Sequence, residues 1–330
     1  MRLPAPPPYR QGMTTQLHEV LLGRDDMVVE TRGLTKRFGG RTAVDSVELR
    51  VPRGVAFGYL GPNGAGKTTL IRMLLGLTSA SAGEMRLLGL PLPESRAQAL
   101  AGVAAIVEEP RFHGHLSGRE NLEIVAAVRG GDAYRRIDGS LEGVGLTARA
   151  RDRVKTYSLG MRQRLGIARC LLADPQLLIL DEPMNGLDPA GILEFRGFVR
   201  DFVEDGRTIV LSSHLLDEVE KTCDHVAIVD CGRVVIQGSI AELRESGDPT
   251  VLVETRDPVA TASLLSTHPA VARVTADGPA VQAVLADLAA VPELNRLLVG
   301  AGQDVLRLEP ARASLEDRFL EITTRLENAA

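Results

Sequence analysis

Short, wholly apolar runs alternate along this chain with longer segments in which apolar residues recur every three or four positions. Val28 to Thr31, Val47 to Val51 and Val55 to Leu60 have the length and composition of strands, as do LLIL at 177–180, TIVLSS at 208–213 and HVAIVD at 225–230. The later runs are separated by helix-length segments, the alternation that builds a parallel sheet covered by helices. Between about Glu108 and Lys155 the strand-like runs disappear, and stretches such as LSGRENLEIVAAVRG carry a helical pattern. A helical insertion over about 108–160 is therefore expected inside an α/β core.

The pattern also predicts boundaries. Ser239 and Glu242 have capping-box spacing and open a helix, IAELRES, that ends at Gly247. A domain over 27–247 and a second over 248–330 follow. The second begins with VLVET, includes VARVTA and DVLRLEP, and has Ala- and Leu-rich stretches between them that read as helical, so a small α+β domain is expected. Its last helix places Leu315, Phe319 and Ile322 on one face. Residues 1–26 are Pro-rich and then polar, which predicts a flexible tail, with a translation start at Met27 as the alternative.

Composition narrows the class. A length of 330 residues fits about two domains. With 38 Lys and Arg against 43 Asp and Glu, the net charge of −5 gives no global attraction for nucleic acid. Aromatics are 3% with no Trp, too few for base-stacking platforms. Cys170, Cys223 and Cys231 form no CxxC pair and predict buried thiols in a reducing cytosol. No apolar run reaches the roughly 18 residues a membrane span needs.

The chemistry begins at Gly61, Pro62, Asn63, Gly64, Ala65, Gly66, Lys67 and Thr68, followed by Thr69. This is G-x-x-x-x-G-K-[ST] between an apolar strand, VAFGYL, and a helical pattern, TLIRMLLGL. Glycines let successive N–H groups converge on phosphate oxygens, and the helix N-terminus adds partial positive charge. Lys67 would reach the β- and γ-phosphates, and the Thr68 hydroxyl would bind Mg²⁺. LLILDEP delivers Asp181 at a strand end for the Mg²⁺ shell and leaves Glu182 to activate the attacking water.

A third segment, Tyr157-Ser158-Leu159-Gly160-Met161-Arg162-Gln163-Arg164, lies at a helix start with Ser158 23 residues ahead of Asp181. Here the chain resembles an ABC-type ATPase, whose signature is usually Leu-Ser-Gly-Gly-Gln. Ser158 and Gly160 match, while Leu159 and Met161 replace a Gly and the Gln. The resemblance implies a P-loop NTPase (RecA-like) parallel-sheet core with an antiparallel β subdomain. It also implies ATP and Mg²⁺ as ligands, and a dimer in which Ser158 and Gly160 contact ATP held by the opposite subunit.

It further implies roles for Asp188, in the Gly186-Leu187-Asp188 loop at the dimer interface, for His214 beside the γ-phosphate, and for Phe38 stacked on adenine. Glu108 stands where the family usually has a Gln that senses Mg²⁺ and the membrane partner. That acidic residue, YSLGMRQRLGIA and SLEDRFLEIT together resemble the bacitracin and lantibiotic exporter branch. The expected protein is the ATP-hydrolysing subunit of a bacterial exporter, cytoplasmic and peripheral on the inner face of the membrane. It would pair as a homodimer, or with a related ATPase, on separate transmembrane permease subunits that handle a drug, peptide or lipid-like substrate. A soluble ABC ATPase of translation or DNA maintenance and an importer ATPase are the alternatives. Lys67 and Ser158 are 91 residues apart, too close for the long coiled coil of the chromosome and repair types.

Overall fold

The computed structural model describes residues 26–245 and 249–311. In chain order these form β1 (Met27–Phe38), β2 (Arg41–Pro52), β3 (Ala56–Leu60), α1 (Lys67–Leu74), β4 (Ala82–Leu87), β5 (Leu90–Leu92), α2 (Arg96–Ala101) and β6 (Val103–Ile106). There follow α3 (Gly118–Arg129), α4 (Ile137–Gly143), α5 (Leu159–Leu171), β7 (Leu177–Leu180), α6 (Pro189–Glu204), β8 (Thr208–Ser213), α7 (Leu216–Glu220), β9 (His225–Asp230), β10 (Arg233–Ser239) and α8 (Ile240–Glu245). The chain continues as β11 (Thr250–Thr255), α9 (Pro258–Ser266), β12 (Val271–Asp277), β13 (Ala280–Leu285), α10 (Val291–Gly300) and β14 (Val305–Ala311). Two compact units divide between Gln237 and Gly238.

In the first unit the wholly apolar runs become the central sheet, ordered β10-β9-β3-β8-β7-β6. Strand β3 runs parallel to β8 and β9, and β7 runs parallel to β8 and β6. Every residue of β3, β7 and β8 is buried, and strands covered on both faces need no polar alternation. That is why LLIL, TIVLSS and HVAIVD carry none, and their observed limits coincide with the expected ones. Leu60 pairs with Ser213, so β3 and β8 end level, while β7 ends at Leu180 opposite Leu211, two residues short of them. The crevice outside such ends is the usual ligand position in open α/β sheets.

A second, antiparallel sheet has the order β2-β1-β4-β5. Strands β1 and β2 are 12 residues each, much longer than their apolar runs, because β1 continues through Arg32 to Phe38 with several register shifts. Its Val29 and Leu34 join Val47 and Leu49 of β2 and Leu70, Ile71 and Leu74 of α1 in one core. The expected antiparallel subdomain is thus tied directly to the helix that follows the P-loop.

Between β6 and β7 the described residues form helices and turns but no strand, as expected for the insertion. Its helix α3 opens on a capping box. The Glu120 N–H donates to Ser117 Oγ at 3.2 Å, and the Ser117 N–H donates to Glu120 Oε2 at 2.7 Å. The bonds from Ser117 hold the Glu120 carboxyl below the usual carboxylate range.

The second unit carries the sheet β12-β13-β11-β14, antiparallel throughout, in the element order βαββαβ. Val251, Val253, Val281, Ala283 and Leu285 point to one side and pack with Leu265 of α9 and Leu294 and Leu298 of α10. One expectation is corrected here: AVQAVL at 280–285, part of an Ala-rich stretch expected to be helical, is strand β13. Its burial alternates residue by residue, so pairing with β11 and β12 overrides the helix propensity of Ala and Leu. The tail through residue 25, the helix end at Gly247 and the face of Leu315, Phe319 and Ile322 lie outside the described residues.

Candidate nucleotide site

The loop from Gly61 to Gly66 connects β3 to α1, with Pro62, Asn63 and Gly64 exposed at its crest. Two of its glycines are required by close approach. A Cβ on Gly61 would stand 2.4 Å from the Val229 carbonyl oxygen, and one on Gly66 would stand 2.2 Å from that of Ala43. Gly66 also has φ +99, which side chains rarely adopt. The loop is braced from the β9–β10 turn and from β8 as well: the Gly232 N–H donates to the Ala65 carbonyl at 3.2 Å, and the Gly61 N–H donates to that of Ser213.

Lys67, the first residue of α1, is buried and turns its ammonium under the loop. It donates 2.6 Å to the Gly61 carbonyl and lies 3.1 Å from Glu182 Oε1. Glu182 Oε2 is 2.9 Å from His214 Nδ1, so Lys67, Glu182 and His214 form one chain of contacts. Thr68 and Thr69 follow on α1, both half-buried.

Asp181 leaves β7 with its N–H bound to the Ile106 carbonyl, and its side chain is buried. A residue that the sequence did not single out holds it there. Ser212, fully buried on β8, donates 2.6 Å to Asp181 Oδ1 and accepts 2.9 Å from the Glu182 N–H. Glu182 has φ +49, and this bond fixes the turn that separates the two carboxylates. The signal was present, since a hydroxyl in a wholly buried strand requires a partner.

The oxygen chemistry fits Mg²⁺. Thr68 supplies a hydroxyl and Asp181 a carboxylate, and no group of three His, Cys, Asp or Glu able to hold a metal occurs among the described residues. A hard cation that keeps water and takes phosphate oxygens suits so sparse a protein shell. Glu108 has φ +63, is largely exposed, and pairs with Arg72 of α1. Phe38 ends β1 and is 52% exposed, contrary to the core position its apolar character alone suggests.

The signature residues assemble elsewhere on the unit. Ser158 caps α5 by accepting 3.2 Å from the Met161 N–H, and Asp188 caps α6 by accepting 2.8 Å from the Gly191 N–H. One groove is lined by Ser158, Gly160, Gly186 and Asp188. Leu159, which replaces a usual glycine, fits because Gly186 leaves room: a Cβ there would stand 2.3 Å from Leu159 Cδ2.

A braced glycine loop, a buried lysine at a helix start and two successive carboxylates at a strand end define a P-loop nucleoside triphosphatase. Comparison with known proteins gives the family. The ABC transporter model matches residues 44–185. The chain is similar to the ABC transporter ATP-binding protein YhcH of Bacillus subtilis (strain 168), with 41% identity over 90% of this chain and 96% of the relative. It is also similar to the bacitracin transport ATP-binding protein BcrA of Enterococcus faecalis, at 38% identity over 90% and 96%. Among solved structures it resembles cbiO1 of Clostridium perfringens, part of the ABC transporter complex cbiONQ. The TM-score there is 0.62 at 26% identity, covering 67% of this chain and 92% of that one. The chain belongs to the ABC transporter ATP-binding protein family. It is the ATP-binding subunit of a transporter, in a family that hydrolyses ATP to power transport. No helix among the described residues is long and apolar enough to cross a membrane.

Proposed function

We propose that this chain powers an exporter of a drug, peptide or lipid-like substrate, acting on separate transmembrane permease subunits from the cytoplasmic face of the membrane. The observation that carries this reading is the 38% identity to a bacitracin transport ATP-binding protein over 90% of the chain. That length runs well past the cassette matched at 44–185. The ATPase domain is read as 27–247, and 248–330 as an accessory domain.

In the proposed cycle the loop from Gly61 to Thr69 and the Lys67 ammonium hold the phosphates, and Phe38 stacks on adenine. Mg²⁺, held by Thr68 and Asp181, would neutralise phosphate charge. A γ-phosphate bound by Lys67 lies beside Glu182, because the ammonium and this carboxylate are 3.1 Å apart. Glu182 accepts a proton from the attacking water as its oxygen bonds to the γ-phosphorus and the bond to the β-phosphate oxygen breaks. His214, 2.9 Å from the same carboxylate, orients it and contacts the γ-phosphate.

Ser158, Gly160 and Asp188 share a groove, and a second copy, or a related ATPase, would present that groove to this chain's nucleotide. Glu108, tied to α1 through Arg72, would report the site's state to the helical insertion and the permease. The test is affinity purification of the tagged protein from gently solubilised native membranes, followed by mass spectrometry. A stoichiometric multi-span partner is expected. Recovery only from the soluble fraction, with ribosomal or DNA-repair proteins, would overturn the transport reading.

A further inference from the structure

An aromatic ring that stacks on a base must hold its attitude, yet Phe38 is 52% exposed and has little packing to fix a rotamer. The structure supplies a substitute on one side. Lys36, two residues earlier on β1, lays its ammonium 4.9 Å from the Phe38 ring centroid. The same ammonium donates 2.6 Å to the Ser79 carbonyl. Ser79 lies in the turn between α1 and β4, just beyond the helix that begins with Lys67 and Thr68.

Two backbone contacts hold this part of β1 to the same turn independently of the lysine. The Ser81 N–H donates 2.8 Å to the Thr35 carbonyl, and the Arg37 N–H donates 3.0 Å to Ser81 Oγ. The strand is therefore anchored without Lys36, and the lysine side chain is left to act on the ring. Its carbonyl partner also keeps the ammonium in place under the aromatic face, where the ring quadrupole attracts it.

We propose that Lys36 is a positioning residue for the nucleotide base: its ammonium closes one face of Phe38 and so presents the opposite face to a purine. The proposal rests on the reading of Phe38 as the base platform. It assigns Lys36 to recognition of the base and not of the phosphates, which Lys67 already serves.

The experiment compares Lys36→Gln, Lys36→Arg and Phe38→Ala in the full-length protein, by calorimetric titration with Mg-ATP and with inorganic tripolyphosphate, which lacks a base. Gln keeps a donor for the Ser79 carbonyl and removes the charge. Arg keeps a cation over the ring. A contact at an exposed site predicts about a two- to five-fold weaker ATP affinity for Lys36→Gln. Tripolyphosphate affinity and thermal midpoint stay unchanged, KM for ATP rises while kcat holds, and Lys36→Arg keeps the parental affinity. ATP affinity equal to the parent in Lys36→Gln, or equal weakening of both ligands, overturns the role of Lys36. If Phe38→Ala leaves the ratio of the two affinities unchanged, the platform reading itself fails; if it changes that ratio while Lys36→Gln does not, only the positioning role fails.

Discussion

Replacing Ser212 by alanine isolates a single buried hydroxyl that serves both carboxylate-bearing residues. The side chain is fully buried, and alanine introduces no clash. Its loss removes a donor at 2.6 Å from Asp181 Oδ1, a charge-assisted bond of about 1.5–3 kcal/mol. It also leaves the Glu182 N–H, bonded at 2.9 Å to the same oxygen, without that partner, at about 1–3 kcal/mol. The two terms share one atom and one turn, so a combined loss of about 3–5 kcal/mol is expected. Because the chain has no Trp, urea unfolding is followed by far-UV circular dichroism, on the transition that ATP shifts. Turnover falls more than ATP affinity, since Lys67 and the loop are untouched while Asp181 and Glu182 lose their common anchor. A loss below about 1 kcal/mol together with parental turnover would refute the reasoning.

Glu182→Gln is expected to keep ATP binding while phosphate release drops about 10²- to 10⁴-fold, whereas Lys67→Ala loses ATP binding itself; equilibrium binding and phosphate release separate the two. Thiol labelling of the native protein reports one of three cysteines, Cys231, which is exposed where the sequence predicts a buried thiol. Cys170, which burial pushes up to about 11, and Cys223, which burial pushes up further, react only after unfolding. The negative charge of Asp230 raises the Cys231 thiol, so its thiolate fraction at neutral pH lies below that of a free cysteine. Its labelling rate climbs as pH rises above the ordinary thiol range, and Asp230→Asn moves that climb to lower pH.

The parts of this protein written in adjacent residues were legible. The loop from Gly61 to Thr68 is a local pattern, and LLIL, TIVLSS and HVAIVD are short apolar runs that only a buried strand satisfies. What depends on partners was not. The polar half of β1 becomes strand because β2 and β4 flank it on both sides. AVQAVL contains helix-forming Ala and Leu, and only its neighbours β11 and β12 decide for a strand. The pairing of Glu108 with Arg72 and the bridge from Ser212 to Asp181 join residues 36 and 31 positions apart. No spacing rule encodes either contact.

Strand β3 sits between β8 and β9, with Phe57 opposite Val210 on one side and His225 on the other. Both neighbours are made by the ribosome more than 150 residues after β3 itself. At about 5–20 residues per second, roughly 10–30 s pass during synthesis before the strand that launches the phosphate loop has anything to pair with. During that interval five apolar residues in extended form have no sheet to enter, and the loop lacks the braces from Ser213 and Gly232. The nucleotide cradle, written near the start of the chain, is therefore among the last features of its unit to form. A ribosome-bound chain that has not yet emerged past Gly232 should have no affinity for ATP.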